Sequence, residues 1–310
     1  MITASGLSRS FDGRVAVDGV SFEVPSGRLC ALLGPNGSGK TTTVRMLLGL
    51  LPPTSGTAEV AGITLPVIRD DAKSLRARAG LLTETPGFYD RLSGAENLDF
   101  FARLYGIADA VRGPRIESWL KRLDLWDARD RAFGGYSKGM KQRLALIRAV
   151  LHEPAVIFLD EPTAGLDPAA AREVRDLIAD LRREGRTILL CTHHLGEAQS
   201  LADLVGILQG KLVAFGSLDA LTGSAGTVEI RLDRDPADLL PMLRSVPGVG
   251  ELASSGPLLR VATGDPERVT PRVVSSLVAA GAGILEVRPV RVSLEEVYLR
   301  AVGAGGGAGA

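Results

Sequence analysis

Between Val20 and Val24 apolar and polar residues alternate: Val20, Phe22 and Val24 against Ser21 and Glu23. A period of two predicts a half-buried strand in an antiparallel sheet. Residues Arg28–Leu33 then form an almost unbroken apolar run, the pattern of a strand covered on both faces. That run ends in Gly34-Pro35-Asn36-Gly37-Ser38-Gly39-Lys40-Thr41-Thr42. A helix is predicted over Thr43–Leu51, stopped by Pro52-Pro53. From about residue 93 to 150 the period lengthens to that of helices. Ser93-Gly94-Ala95-Glu96 has the form of a capping box. Leu98, Phe101, Leu104 and Tyr105, then Ile116, Trp119, Leu120 and Leu123, recur at helical spacing, and these aromatics are expected to be core. Apolar strands return at Ala155–Leu159 and Thr187–Cys191, with a helix between them over Ala169–Arg183. Strand, helix, strand in that order implies a parallel sheet with helices packed on it.

After Gly216 the character changes. Residues 217–226, ending in Thr222-Gly223-Ser224-Ala225-Gly226, suggest a linker. A smaller α+β region is expected over 227–302. Its strands fall at Thr227–Leu232, Leu258–Ala262 and Gly283–Val290, and its helices near 236–245 and 268–280. Ser293-Leu294-Glu295-Glu296 is a second capping box, opening a last helix to about Ala301; 303–310, a run of small residues, is expected to be a disordered tail. The first domain then spans 1–216, with a helical subdomain over about 85–150.

Composition narrows the class of protein without naming a function. The chain of 310 residues balances 36 basic against 36 acidic side chains, so it is not a strongly basic nucleic-acid binder, and no nucleic-acid partner is expected. No run of ~18 apolar residues predicts a transmembrane helix. Met1–Gly6 lacks the apolar core of a signal peptide, so a cytoplasmic location is expected. Cys30 and Cys191 each lie in an apolar run and are expected to be buried, reduced thiols. Lysine is confined to Lys40, Lys73, Lys121, Lys138, Lys141 and Lys211.

Lys40 falls in a motif with clear chemistry. Gly34-x-x-x-x-Gly39-Lys40-Thr41, between a buried strand and a helix, is the phosphate-loop pattern. Small residues let the loop from Gly34 and Pro35 to Thr42 wrap phosphate oxygens with the backbone N–H groups of Asn36, Gly37, Ser38, Gly39, Lys40, Thr41 and Thr42, and the helix N-terminus adds its dipole. Lys40 would reach the β- and γ-oxygens, and the Thr41 hydroxyl would bind Mg²⁺. The strand at 155–159 ends in Asp160-Glu161. Asp160 would hold Mg²⁺ through water, and Glu161 would act as general base towards the attacking water. These residues predict a nucleotide site that binds Mg²⁺; ATP as the nucleotide is what the family resemblance carried by the next motif implies.

Between these motifs stands Tyr136-Ser137-Lys138-Gly139-Met140, heading a helix with an apolar stripe at Leu144, Ile147 and Val150. With it, the chain over about residues 2–216 resembles the nucleotide-binding domain of an ATP-binding-cassette (ABC) transporter. The resemblance implies an α/β phosphate-loop fold with an antiparallel β subdomain and a helical subdomain. It sets 136–140 in the place of a Leu-Ser-Gly-Gly-Gln signature, departing at Tyr136, Lys138 and Met140. Ser137, Lys138, Gly139 and Met140 would then meet the nucleotide of a partner subunit. Gly165-Leu166-Asp167-Pro168 resembles the D-loop, His193 the switch histidine and Phe11 the aromatic on adenine, while His194 is expected to face solvent. Glu84 stands where the family has a Mg²⁺-binding glutamine. The C-terminal Ser-Leu-Glu-Glu-Val-Tyr-Leu element is similar to the tail of daunorubicin-type drug-efflux ATPases. The family implies a homodimer bound to a separate membrane permease at the inner face of the membrane. Export of drugs, antibiotics or lipids is the first expectation; an importer subunit or a non-transport ABC ATPase is the alternative.

Overall fold

The computed structural model describes residues 1–66, 71–83 and 87–305. Its first unit is Met1–Ser217 together with the residues from Ala301 on, and its second is Leu218–Arg300. The chain opens with β1 (Ile2–Phe11) and β2 (Arg14–Val24), an antiparallel hairpin turning at Asp12-Gly13. Both turn residues have positive φ, 47° and 80°, which suits the primed turns that match the strand twist. Val20, Phe22 and Val24 face inward, as their alternation predicts. After them come β3 (Leu29–Leu33), α1 (Lys40–Leu47), β4 (Ser55–Val60), β5 (Ile63–Leu65), α2 (Asp71–Arg78) and β6 (Ala79–Leu82). One sheet has the order β2-β1-β4-β5 and is antiparallel throughout.

Helices α3 (Gly94–Leu104), α4 (Asp109–Arg122) and α5 (Lys138–Val150) follow. Ser93 closes a full capping box with Glu96 at the head of α3. Next come β7 (Val156–Asp160), α6 (Pro168–Arg183), β8 (Thr187–Thr192), α7 (Leu195–Leu201), β9 (Leu204–Gln209) and β10 (Lys211–Ser217). The second sheet reads β10-β9-β3-β8-β7-β6, parallel except at β10. Every residue of β3, β7 and β8 is buried. Successive side chains point to opposite faces, so two cores form across this sheet. Ile157, Leu159, Ile188 and Leu190 pack with α5 and α6; Val156, Phe158, Leu189 and Cys191 pack with α1 and the antiparallel sheet. Cys30 and Cys191 are both buried, and burial pushes the Cys30 thiol up to about 12.

The second unit carries α8 (Leu218–Leu221), β11 (Ser224–Leu232), α9 (Leu240–Leu243), β12 (Val249–Ser255), β13 (Leu258–Thr263), α10 (Pro266–Ala279) and β14 (Ile284–Arg291). The chain closes with α11 (Leu294–Gly305). From β11 to β14 the order is β-α-β-β-α-β, and the sheet runs β12-β13-β11-β14, all antiparallel. This is the split-βαβ arrangement of ferredoxin-like folds. Val228, Ile230 and Leu232 enter its core beside Val269, Val273 and Leu277 of α10. Glu229 alternates to the opposite face, where Arg260 and Arg288 clamp it from the two neighbouring strands at 2.8 and 2.7 Å.

Several boundaries differ from the sequence expectation. Helix α1 ends at Leu47, not Leu51, because Gly49 takes φ 64° and turns the chain before the prolines. The expected linker 217–226 instead holds the end of β10, α8 and the start of β11. Thr222 caps α8 through a bond to the Leu218 carbonyl at 2.7 Å. The helix expected near 236–245 shrinks to α9, since Pro241 fits only a first helical turn. Strand β12 was not expected: its face toward the core carries little beyond Val249 and Leu252. Helix α11 reaches Gly305 through residues expected to be tail, an alanine–glycine run in which glycine costs only ~1 kcal/mol each. The rest of that tail, 306–310, lies outside the described residues.

The Glu229 clamp yields a pH prediction. The Arg260 and Arg288 hydrogen bonds hold the Glu229 carboxyl below the usual carboxylate range. A lowered folded value stabilises the protein above the unfolded value of ~4.3 and loses that contribution as pH falls through the lower, folded value. Wild type and Glu229→Gln should therefore differ in melting temperature at pH 7 and converge as pH approaches 3. A pH-independent difference would show that the charge is not what the clamp holds.

Candidate nucleotide site

Strands β3, β8 and β7 lie side by side and parallel, with Leu33 opposite Thr192 and Asp160 opposite Cys191. Their carboxyl ends thus release three loops at one level: Gly34–Gly39, Glu161–Asp167 and His193–His194. Open α/β sheets bind ligands at this edge. A cavity of about 280 Å³ forms there, lined by Asn36–Thr42, Asp160, Glu161 and His193, together with Ala16 and Ala164. A larger cavity of about 710 Å³ beside α3 and α4 is rimmed by charges that pair with one another, Asp99 with Arg103 and Asp130 with Arg129. Chemistry, more than size, marks the smaller one.

The loop is built for close approach. A Cβ on Gly34 would stand 2.3 Å from the Leu208 carbonyl, and one on Gly39 2.7 Å from the Ala16 carbonyl. Gly39 has φ 100° and Gly37 φ 80°. Helix α1 begins at Lys40 with no acidic residue in its first turn. Its first N–H groups have no acceptor within the helix and point at the cavity end. Ser38 Oγ is buried without a partner, a donor that a phosphate oxygen would satisfy. Lys40 is buried, and its Nζ donates to the Gly34 and Pro35 carbonyls at 2.6 and 3.1 Å.

Across the cavity, the Thr41 hydroxyl donates to Asp160 Oδ2 at 2.7 Å. Glu161 has φ 50°, an uncommon conformation for a non-glycine residue, and its N–H bonds the Cys191 carbonyl at 2.9 Å. Such strain is stored where the surroundings over-determine it, often at working sites. Glu161 Oε1 lies 2.8 Å from His193 Nδ1, while Oε2 is buried with no partner. His194 is exposed, as expected, with its ring 4.0 Å from that of His193.

Other expected site residues stand elsewhere. Ser137 is the N-cap of α5, accepting from the Met140 N–H at 3.2 Å, and Ser137, Lys138, Gly139 and Met140 do not line the cavity. Asp167 caps α6, accepting from Ala169 and Ala170; chiefly the Ala170 N–H holds its carboxyl below the usual range. Phe11 is 42% exposed at the hairpin tip, with the Arg9 guanidinium 4.7 Å from its ring centre. Glu84 lies outside the described residues. Sequence reasoning overlooked Gln142 and Glu197, both buried. Gln142 donates to the Pro162 carbonyl at 2.7 Å, and Glu197 accepts from the Thr163 hydroxyl. A polar residue within an apolar helical stripe was the available signal for Gln142.

A parallel sheet carrying a phosphate loop beside strand-end carboxylates defines a nucleotide site of the phosphate-loop class. The ABC transporter family model matches residues 17–164. Daunorubicin resistance ATP-binding protein DrrA3 of Streptomyces coeruleorubidus is 36% identical, over 97% of this chain and 96% of that protein. Nod factor export ATP-binding protein I of Rhizobium sp. (strain N33) is 35% identical, over 97% of each. A solved structure of the ATP-binding subunit of an ABC transporter superposes with a TM-score of 0.66 at 32% identity, covering 71% of this chain and 91% of that one. The chain belongs to the ABC transporter family, as an ATP-binding protein, and its relatives serve drug resistance and export.

The loop geometry makes a direct prediction. Alanine at Gly39 must adopt a left-handed conformation against the Ala16 carbonyl, so Gly39→Ala should cost about 1–3 kcal/mol and weaken nucleotide binding with it. Chemical denaturation and calorimetric titration with an ATP analogue read both effects. Parent-like values in both would show that the loop tolerates a side chain there.

Proposed function

We propose that this chain is the ATP-hydrolysing subunit of an exporter of drugs, antibiotics or lipids, driving a separate membrane permease by ATP-dependent dimerisation. The observation that carries this reading is the Glu161–His193 pair beside the phosphate loop. The relatives named for drug resistance and for Nod factor export support the direction of transport.

In this reading, the phosphates of ATP lie on the N–H groups of the Gly34–Thr42 loop, with Ser38 Oγ and Lys40 Nζ on their oxygens. Lys40 exchanges two neutral carbonyls for anionic oxygens, which form the stronger charge-assisted bonds. Phe11 stacks on the adenine. Thr41 Oγ1 and Asp160 Oδ2, two hard oxygen donors already 2.7 Å apart, fit Mg²⁺, and Glu84 is the third proposed ligand. The ion, when bound, neutralises charge on the β- and γ-oxygens. Glu161 Oε2, unpartnered, accepts the proton of the attacking water. His193 holds Oε1, so the carboxylate keeps one orientation while the imidazole faces the γ-phosphate.

Ser137, Lys138, Gly139 and Met140 act on the nucleotide of a second copy, because they stand away from this chain's own cavity. Two copies then enclose two ATP molecules, with Asp167 at the junction. Hydrolysis removes the γ-phosphate bridge and lets the copies part. Permease subunits convert that cycle into alternating access. Among the described residues no helix is long and apolar enough to cross a membrane. The membrane part in this reading is another polypeptide, with this subunit on its cytoplasmic face.

Two variants test the reading. Glu161→Gln should lower ATP turnover by ~10²–10⁴-fold, as loss of a general base does, yet bind ATP and elute as a dimer with MgATP. A monomer under those conditions would overturn the sandwich. Lys40→Ala should lose ATP binding in an equilibrium titration, and wild-type affinity would sink the phosphate assignment.

A further inference from the structure

His194 has no part in the mechanism above, although it sits beside the two residues that do the chemistry. Its backbone is fixed, since its N–H donates to the buried Thr192 hydroxyl at 3.0 Å. Its side chain makes no capping bond to α7. The donor atoms of Glu161, His193 and His194 all lie within 4.8 Å of one another. The imidazole rings are 4.0 Å apart and inclined by 38°, and the Glu161 side chain is 12% exposed against 45% for His193. One carboxylate oxygen, Oε2, is buried and has no partner.

We infer that Glu161, His193 and His194 form an inhibitory site for a borderline transition-metal cation of the Zn²⁺ type, distinct from the Mg²⁺ position at Thr41 and Asp160. Two imidazole nitrogens and one carboxylate oxygen are a donor set that Zn²⁺ takes readily. Mg²⁺ favours six oxygens and sheds its waters reluctantly, so the same set discriminates against it. Metal–ligand distances of about 2.0–2.2 Å require the three donors to close in, which two exposed imidazoles achieve by side-chain rotation. Three ligands leave a fourth position open toward the cavity, for water. The cation would occupy the lone pairs with which Glu161 accepts a proton and would draw His193 away from the γ-phosphate. Binding of the metal is therefore incompatible with turnover. The inhibition rests on the proposed ATPase role of Glu161, whereas the binding does not.

The test has two arms on the full chain. In the first, the nucleotide-free protein is titrated with Co²⁺, whose visible absorption reports nitrogen and oxygen ligation at low coordination number. Wild type should show a saturable band that His194→Ala and Glu161→Gln both lose. In the second, Zn²⁺ is titrated into the MgATP hydrolysis assay. His194→Ala should keep basal turnover and need more Zn²⁺ for half-inhibition, by at least the ~10–100-fold that an outer-shell partner alone contributes to metal affinity. Two results would overturn the site: no Co²⁺ band in wild type, or equal Zn²⁺ inhibition of wild type and His194→Ala. A Co²⁺ band without any ATP hydrolysis would support the metal site while rejecting the ATPase reading.

Discussion

The parallel pairing of β3, β8 and β7 is the constraint on which the rest of the site depends. Each strand is fully buried, so its register is set by packing on both faces rather than by one amphipathic side. With Leu33 opposite Thr192 and Asp160 opposite Cys191, the three strands end at one level. A slip by one residue would turn Phe158 toward the α5–α6 core and carry Asp160 away from Thr41. The hydrogen bond between Thr41 and Asp160 therefore reports a register imposed by the hydrophobic packing of the strands on both faces.

That dependence explains which parts were visible in the sequence. The phosphate loop was fully legible, because its glycines, its lysine and its flanking strand and helix are contiguous. The buried strands were legible as apolar runs, and the β1–β2 hairpin as alternation. Contacts between distant segments were legible only through family likeness: nothing local to Glu161 or His193 says that Oε1 and Nδ1 meet at 2.8 Å. Ala16 was missed for the same reason, since it enters the cavity from the β1–β2 hairpin. In the second unit the edge strand β12 and the short α9 carry too few apolar residues to give a period. Proline and glycine set those boundaries more than hydrophobicity does.

The two units solve the burial of charge in different ways. In the second, Glu229 shares its two oxygens between Arg260 and Arg288, and every partner is supplied by the sheet itself. At the nucleotide site, satisfaction is left incomplete: Ser38 Oγ and Glu161 Oε2 are buried without partners. A buried polar group without a partner costs about 1–3 kcal/mol, so such groups persist where a ligand can satisfy them. The second unit and the nucleotide site are distinguished by that difference more clearly than by burial or charge count.

The Glu161–Thr163 segment joins the site to its surroundings. It is tied to β8 through the Glu161 N–H, to α5 through Gln142 and the Pro162 carbonyl, and to α7 through the Thr163 hydroxyl, which donates to the Glu197 carboxylate. Gln142, Thr163 and Glu197 are all buried, so water does not readily replace a broken bond there. Moving this segment alone would leave those groups unpaired at about 1–3 kcal/mol each. Moving it together with α5 and α7 keeps the bonds. Since Ser137 caps α5, a displacement at Glu161 and a displacement of the Ser137–Met140 turn are then one motion rather than two. A shift at Glu161 is thereby linked to a surface outside the cavity.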